Sequence, residues 1–166
     1  MDLGLRDKIV LVTGGAKGIG AATVKAFLVE DCKVVIVDRD TKAGPILAKS
    51  SGSKARFVEA DLTNLKSCKK AVEQTVSWFG GLDVLVNNAG FNDGLGLETS
   101  AVDFMTSVQN NLLHVYAMTH YSLPLLRKGP GSILNIGSKI PVTGKARLQL
   151  MPPQRGQSAR SPANGR

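Results

Sequence analysis

Cysteine is scarce in this chain, with two thiols, Cys32 and Cys68, among 166 residues. So few exclude a disulfide framework, and free thiols suit a reducing compartment. Neither has a histidine or a second cysteine beside it at metal-ligand spacing, so no metal site is expected. Long apolar runs are missing too: none reaches the roughly 18 residues a membrane helix needs. Met1 to Lys8 lacks the extended apolar stretch of a signal peptide. A cytoplasmic location and no membrane partner are therefore expected. Acidic residues are absent from 145–166, where five of the 21 basic residues fall: Lys145, Arg147, Arg155, Arg160 and Arg166.

That last absence accounts for most of the net charge of +8. Removing the five leaves 16 basic and 13 acidic groups in residues 1–144, a net of +3. The body of the chain is nearly balanced, and the basicity belongs to its end. A basic tail binds polyanions without reading sequence, so no specific nucleic-acid partner is expected. The length suits one domain with a real core. Residues 1–144 are read as that domain and 145–166 as an irregular basic tail.

Short apolar, β-branched runs alternate with helical spacings along the body. Residues 8–13 (KIVLVT), 33–38 (KVVIVD), 55–60 (ARFVEA), 82–86 and 131–137 (GSILNIG) read as five strands. Helices are predicted over 18–30, a short one over 41–50, then 63–79 and 99–127. Thr63 is the expected N-cap of the third, Gly80-Gly81 its stop, and Pro124 bends or ends the fourth. Strands alternating with helices imply βαβ units around a parallel sheet. Near-continuous apolar strands fit a sheet covered on both faces. The expected fold is α/β: a doubly wound Rossmann sheet in the order 3-2-1-4-5, with its ligand crevice between strands 1 and 4. Edge-on, the fifth strand would normally meet a sixth; without one, its unpaired backbone groups and the long helix favour self-association.

Between the first strand and the first helix lies Thr13-Gly14-Gly15-Ala16-Lys17-Gly18-Ile19-Gly20. Gly14 permits a sharp turn, Gly18 lets a ligand approach the backbone, and Gly20 lets helix and strand pack closely. The helix N-terminus offers free N–H groups and a positive dipole end to a pyrophosphate. An acid, Asp38, ends the next strand, placed to accept hydrogen bonds from ribose hydroxyls. Its charge repels a 2′-phosphate, whereas Lys17 and Arg39 would each neutralise one. NAD is the expected cofactor, with NADP as the alternative.

Further blocks stand in order after this loop. They are Asp61-Leu62-Thr63 after the third strand, Asn87-Asn88-Ala89-Gly90 after the fourth, Asn111-Leu112 in the long helix, and Ile133-Leu134-Asn135-Ile136-Gly137-Ser138 at the fifth strand. Together with T-G-x-x-x-G-I-G at 13–20, they resemble the short-chain dehydrogenase/reductase family over residues 5–144. The segments 91–97 and 111–121 are similar to its L-fucose (aldose) dehydrogenase branch. The resemblance implies hydride transfer between a nicotinamide and an alcohol or carbonyl, here a small-molecule alcohol or sugar. It puts Gly14, Lys17, Gly18, Ile19, Gly20, Asp38 and Arg39 around the cofactor, with Asp61 and Leu62 at the adenine and Asn88, Ala89 and Gly90 beyond. It assigns Ser138 to hydrogen-bonding the substrate oxygen and Asn111 to holding a water. Asn92 and Asp93 are read either as a turn or as partners of sugar hydroxyls, and His114 and His120 as packing or surface histidines.

The resemblance also implies a tyrosine 13 residues after the serine and a lysine four further on, as Y-x-x-x-K. Met151 and Arg155 stand there instead. Methionine has no proton to exchange, and arginine stays charged with a different geometry. Residues 145–166 carry Pro152-Pro153 and no helical apolar period, where the family has a long helix followed by further strands and a substrate lobe. A reading-frame shift near Gly144-Lys145 accounts for this. In the frame beginning one base earlier, tyrosine is allowed in place of Met151, alanine at 152–154 and lysine in place of Arg155. The chain as written is thus expected to be an incomplete, inactive oxidoreductase, with a non-catalytic dinucleotide-binding fragment as the alternative.

Overall fold

The computed structural model describes residues 3–137. Ser138, Met151, Arg155 and the segment 145–166 lie outside the described residues. Five parallel strands form one sheet: β1 (Ile9–Thr13), β2 (Lys33–Asp38), β3 (Ala55–Glu59), β4 (Val84–Asn87) and β5 (Ser132–Asn135). Their order is β3-β2-β1-β4-β5, the doubly wound arrangement that the alternation of runs predicts. The strands form where β-branched residues follow one another, because such side chains fit a pleated surface and resist helix.

Helices α1 (Gly18–Val29), α2 (Ala43–Ser50), α3 (Leu65–Phe79), α4 (Ala101–Val108) and α5 (His114–Leu126) link or follow the strands. Because successive strand residues point to opposite faces, the sheet feeds two cores. On one face Val10, Val12, Val34, Ile36 and Val86 meet Val24 of α1 and Ala48 of α2. On the other, Leu11, Val35, Val37, Val58 and Leu85 meet Cys68, Ala71 and Val72 of α3 and Ala117, Met118 and Leu126 of α5. Both cysteines are free and buried. Burial raises the Cys32 thiol and pushes Cys68 up to about 11, so both stay protonated.

One local expectation is corrected and another refined. Thr63 is not the N-cap of α3: Asn64 is, its side chain accepting from the Lys66 amide at 2.9 Å. Thr63 instead donates both its amide and its hydroxyl to Asp61 Oδ1, at 3.0 and 2.8 Å, and this turn delays the helix. The long helix predicted over 99–127 forms, running unbroken through α4, a turn of π-helix at Gln109–Leu113 that spacing did not announce, and α5. Pro124 lies inside α5, two residues before its end. Gly80 does stop α3, with a left-handed φ of 87° and its amide donating to the Val76 carbonyl.

Among the described residues β5 is paired on one side only, by β4, with Leu85 opposite Ile133 and Val86 opposite Leu134. All four residues of β5 are exposed. A second apolar surface runs along α4, the π turn and the start of α5, where Val102, Met105, Leu112 and Tyr116 are exposed.

Candidate functional site

β1 has β2 on one side and β4 on the other, so the chain leaves the sheet in opposite directions at its carboxyl edge. Open parallel sheets bind ligands at such a point. Gly14 turns the chain there with φ 61° and donates its amide to the Val37 carbonyl at 2.8 Å. A Cβ on Gly14 would stand 2.9 Å from Ala89 Cα, and one on Gly20 only 2.0 Å from the Gly14 carbonyl oxygen. The last glycine is therefore needed for contact with the loop, rather than with the strand as predicted. Lys17 is the N-cap of α1 and supplies no side-chain cap. The first α1 bond runs from the Ala21 amide to the Lys17 carbonyl, so the amides of Gly18, Ile19 and Gly20 precede any intrahelical acceptor.

Two side chains fasten this loop to the end of β4. Thr13 Oγ1 donates to the Val86 carbonyl at 3.3 Å and accepts from the amides of Asn88 and Ala89 at 3.0 and 3.1 Å. Asn88 Nδ2 donates to the carbonyls of Thr13 and Gly14 at 2.9 and 3.0 Å. Each group in this exchange meets a complementary one, as buried polar groups must.

Three carboxylates flank the loop. Asp38 at the tip of β2 accepts from the Ala16 amide at 2.9 Å with Oδ2 and from the Asp40 amide at 3.0 Å with Oδ1. A carboxylate has about four acceptor positions, so Asp38 keeps capacity for a ligand while it braces the loop. Asp40 pairs with Lys17 at 2.5 Å. The Lys17 ammonium, then the amides of Ala43 and Lys42, hold the Asp40 carboxyl down to about 2. The amide and hydroxyl of Thr63, with Arg39 nearby, hold Asp61 below the ordinary carboxylate range.

A cleft of about 210 Å³ opens between these elements. It brings together the predicted residues Gly14, Asp38, Arg39, Asp61 and Leu62 with Asn88, Ala89 and Gly90. Lys17, Gly18 and Ile19 are exposed at the start of α1, and Gly20 is buried beneath. Asn111 lies in the π turn, where Oδ1 accepts from the Phe91 amide at 3.0 Å and Nδ2 donates to the Ser107 carbonyl at 3.1 Å. It thereby ties the segment after β4 to the long helix. Asn87 Nδ2 donates to Asn135 Oδ1 at 2.9 Å, tying β4 to the strand that leads toward Ser138.

The glycine loop, the Asn88 clasp and the π-turn asparagine occur on one doubly wound sheet, and the sequence profile of short chain dehydrogenases matches residues 8–150. The chain belongs to the short-chain dehydrogenase family. It is 40% identical over 141 residues to L-fucose dehydrogenase of Mus musculus, a match covering 84% of this chain and 51% of that protein. It is 38% identical over 140 residues to a probable galactose dehydrogenase of Rhizobium meliloti (strain 1021), covering 81% and 55%. The chain thus spans about half the length of the curated relatives it matches. The crystal structure of Cj0485 dehydrogenase superposes with a TM-score of 0.82 at 42% identity, over 89% of this chain and 57% of that one. A 3-ketoacyl-(acyl-carrier-protein) reductase from Brucella melitensis, complexed with NADH, does so with a TM-score of 0.77 at 34% identity, over 82% and 59%. Short-chain dehydrogenases are oxidoreductases that use nicotinamide cofactors. The glycine cradle and the uncapped α1 amides fit a pyrophosphate, and no helix among the described residues is long and apolar enough to cross a membrane.

The cleft of this short-chain dehydrogenase has lining residues that sequence reasoning missed: Ala60, Thr63, Phe91, Asn110 and His114. Their neighbours in sequence were the signal, since each lies within three positions of a predicted residue. Asn92 makes a turn, accepting from the Gly94 amide at 2.9 Å. His120 is exposed between Tyr116 and Tyr121, as a surface histidine. His114 is different: it is 2% exposed and neither ring nitrogen has a hydrogen-bond partner.

Burial lowers the pKa of His114 from its ordinary 6.5. The folded state therefore resists a proton that the unfolded chain accepts. Stability is expected to be full above pH 6.5 and to fall as pH drops below it, by at most about 1.4 kcal/mol per pH unit, until the folded value is reached. Urea melts between pH 5 and 7.5 check this against His114→Leu, which should flatten the slope. An unchanged slope in that variant would assign the acid sensitivity elsewhere.

Proposed function

We propose that the cleft binds the adenosine half of NAD, and that the chain derives from an enzyme acting on an alcohol or sugar. The observation that carries this reading is Asp38, a carboxylate at the tip of β2 beside a glycine loop and an uncapped helix N-terminus. In this arrangement the amides of Gly18, Ile19 and Gly20 receive the pyrophosphate, and Asp38 accepts from the ribose hydroxyls. Asp61 and Leu62 border the adenine. Asn88, Ala89 and Gly90 lead toward the nicotinamide, which when bound supplies the hydride acceptor or donor. Asn111 holds a water, and Ser138 donates to the substrate oxygen. The relatives named L-fucose dehydrogenase and probable galactose dehydrogenase support an aldose as substrate. NADP is the second choice, because Asp38 repels its extra phosphate.

Residues 1–144 constitute the binding unit in this proposal, and 145–166 a basic tail of shifted reading frame. Met151 and Arg155 leave the reaction without a proton carrier. For the chain as written, that favours a dinucleotide-binding fragment over an active enzyme. The apolar surface of α4 and the edge of β5, unpaired among the described residues, support self-association.

Calorimetry with NAD and NADP tests the binding reading on the chain as written. NAD is expected to bind at or below millimolar concentration, and no heat with either cofactor would remove the reading. Resequencing the DNA from the Ser138 codon onward tests the frame. If Y-x-x-x-K is encoded, the restored chain is expected to oxidise L-fucose or D-galactose about 10²–10⁴ times faster than the chain as written. Equal turnover by the two would sink the assigned need for the tyrosine-lysine pair.

A further inference from the structure

Lys17 is the N-cap of α1, in the glycine loop beside the cleft, and an ammonium turned from there toward the adenosine ribose would meet a 2′-phosphate. Its position in the structure is elsewhere. Lys17 Nζ is drawn 2.5 Å from Asp40 Oδ2, and this contact, by hydrogen bond and charge, raises the affinity of the lysine for its proton. Asp40 is the fixed partner of the two. Its Oδ1 accepts from the amides of Lys42 and Ala43 at 3.0 and 2.8 Å, at the entrance to α2. Its own amide is held by Asp38 Oδ1 at 3.0 Å. The Asp40 side chain is 24% exposed and that of Lys17 73%, so the anchored carboxylate sets where the mobile ammonium rests. The other cation at this end, Arg39, has Asp61 for a neighbour. Of these two cations only Lys17 is held in an ion pair among the described residues.

We propose that Asp40 is a cofactor-specificity residue: by holding Lys17 against α2 it withholds the cation a 2′-phosphate needs, and so works with Asp38 to select NAD over NADP. This rests on the reading of the cleft as a dinucleotide site. The exposed pair contributes little to stability. Its effect is on charge: with Asp40 neutral, Lys17 is free to swing to the ribose, and the local balance moves by one positive unit toward a doubly charged phosphate.

The test is calorimetry of NAD and NADP binding to the full chain, its Asp40→Asn and Asp40→Ser variants, and Asp40→Asn combined with Lys17→Ala. Asparagine and serine each keep an oxygen for the α2 amides and remove the charge. Both single variants are expected to bind NADP about tenfold tighter relative to NAD, the order of one charge interaction largely screened by water. The gain should shrink in high salt and vanish in the double variant. NAD binding with an unchanged NAD-to-NADP ratio in both single variants overturns the proposal alone. So does a gain that survives loss of Lys17. Absence of binding by either cofactor to the parent chain overturns the dinucleotide reading and the proposal with it.

Discussion

Gly20→Ala is expected to destabilise the domain by about 3 kcal/mol, the upper part of the range for forced overpacking, and to eliminate NAD binding. The new methyl group would lie 2.0 Å from the Gly14 carbonyl oxygen and 2.6 Å from Asn88 Nδ2. Neither neighbour can retreat cheaply. The Gly14 carbonyl is backbone, and Asn88 Nδ2 is already committed to it and to the Thr13 carbonyl. Relief must come from moving α1 away from the loop, which also moves the amides that the pyrophosphate would use. Gly81→Ala is the matched control, because its Cβ would meet only Ile9 Cδ1 at 3.8 Å, an ordinary contact. Urea melts and NAD calorimetry on the two variants check this. Equal midpoints would show that the loop and α1 are less tightly apposed than the structure has them.

Thr13→Val is expected to cost about 2–4 kcal/mol, although the two side chains have nearly the same shape. The hydroxyl is fully buried, and three groups depend on it. Valine leaves the amides of Asn88 and Ala89 facing a methyl group, and each buried donor stranded in this way costs about 1–3 kcal/mol. Thr13→Ser keeps the oxygen and loses only a methyl, a change of about 1 kcal/mol. The comparison of valine with serine by denaturant melts isolates the hydrogen bonds from the packing. If valine is as stable as serine, the hydroxyl does not join β1 to β4.

The sheet order was legible because its signal is local and repeated. Runs such as 33–38 (KVVIVD) are too short for a helix, too apolar for a surface strand and bounded by turn residues. Five of them in alternation with helices leave one economical winding, and the family blocks at 13–20 and 87–90 agree with it. What escaped depends on contacts between distant residues. Gln109–Leu113 has no residue that forbids an α-helix, and its π turn accompanies the bond from the Phe91 amide to Asn111. The extra residue in that turn changes the angular phase of α5, so spacing alone could not show that His114 would be buried against the cleft. Thr63 has the right chemistry for a cap, but Asp61, two residues back, claims its hydroxyl first. The Lys17–Asp40 pair joins residues on two separate βα connections, a meeting no linear pattern announces.

The sheet also sets an order of assembly for a chain made from its N-terminus. β1 is the middle strand and is synthesised first; β2 and β3 extend the sheet to one side, and only then do β4 and β5 extend it to the other. By the time residue 60 has left the ribosome, three strands and the two described helices of one face, α1 and α2, are in hand. The opposite side of those strands, with Leu11, Val35, Val37 and Val58, has no described helix to cover it until α3 emerges, and α5 joins it only when Leu126 arrives. The nascent protein therefore passes through a half-roofed stage, and surfaces of that kind are where growing chains aggregate or engage chaperones.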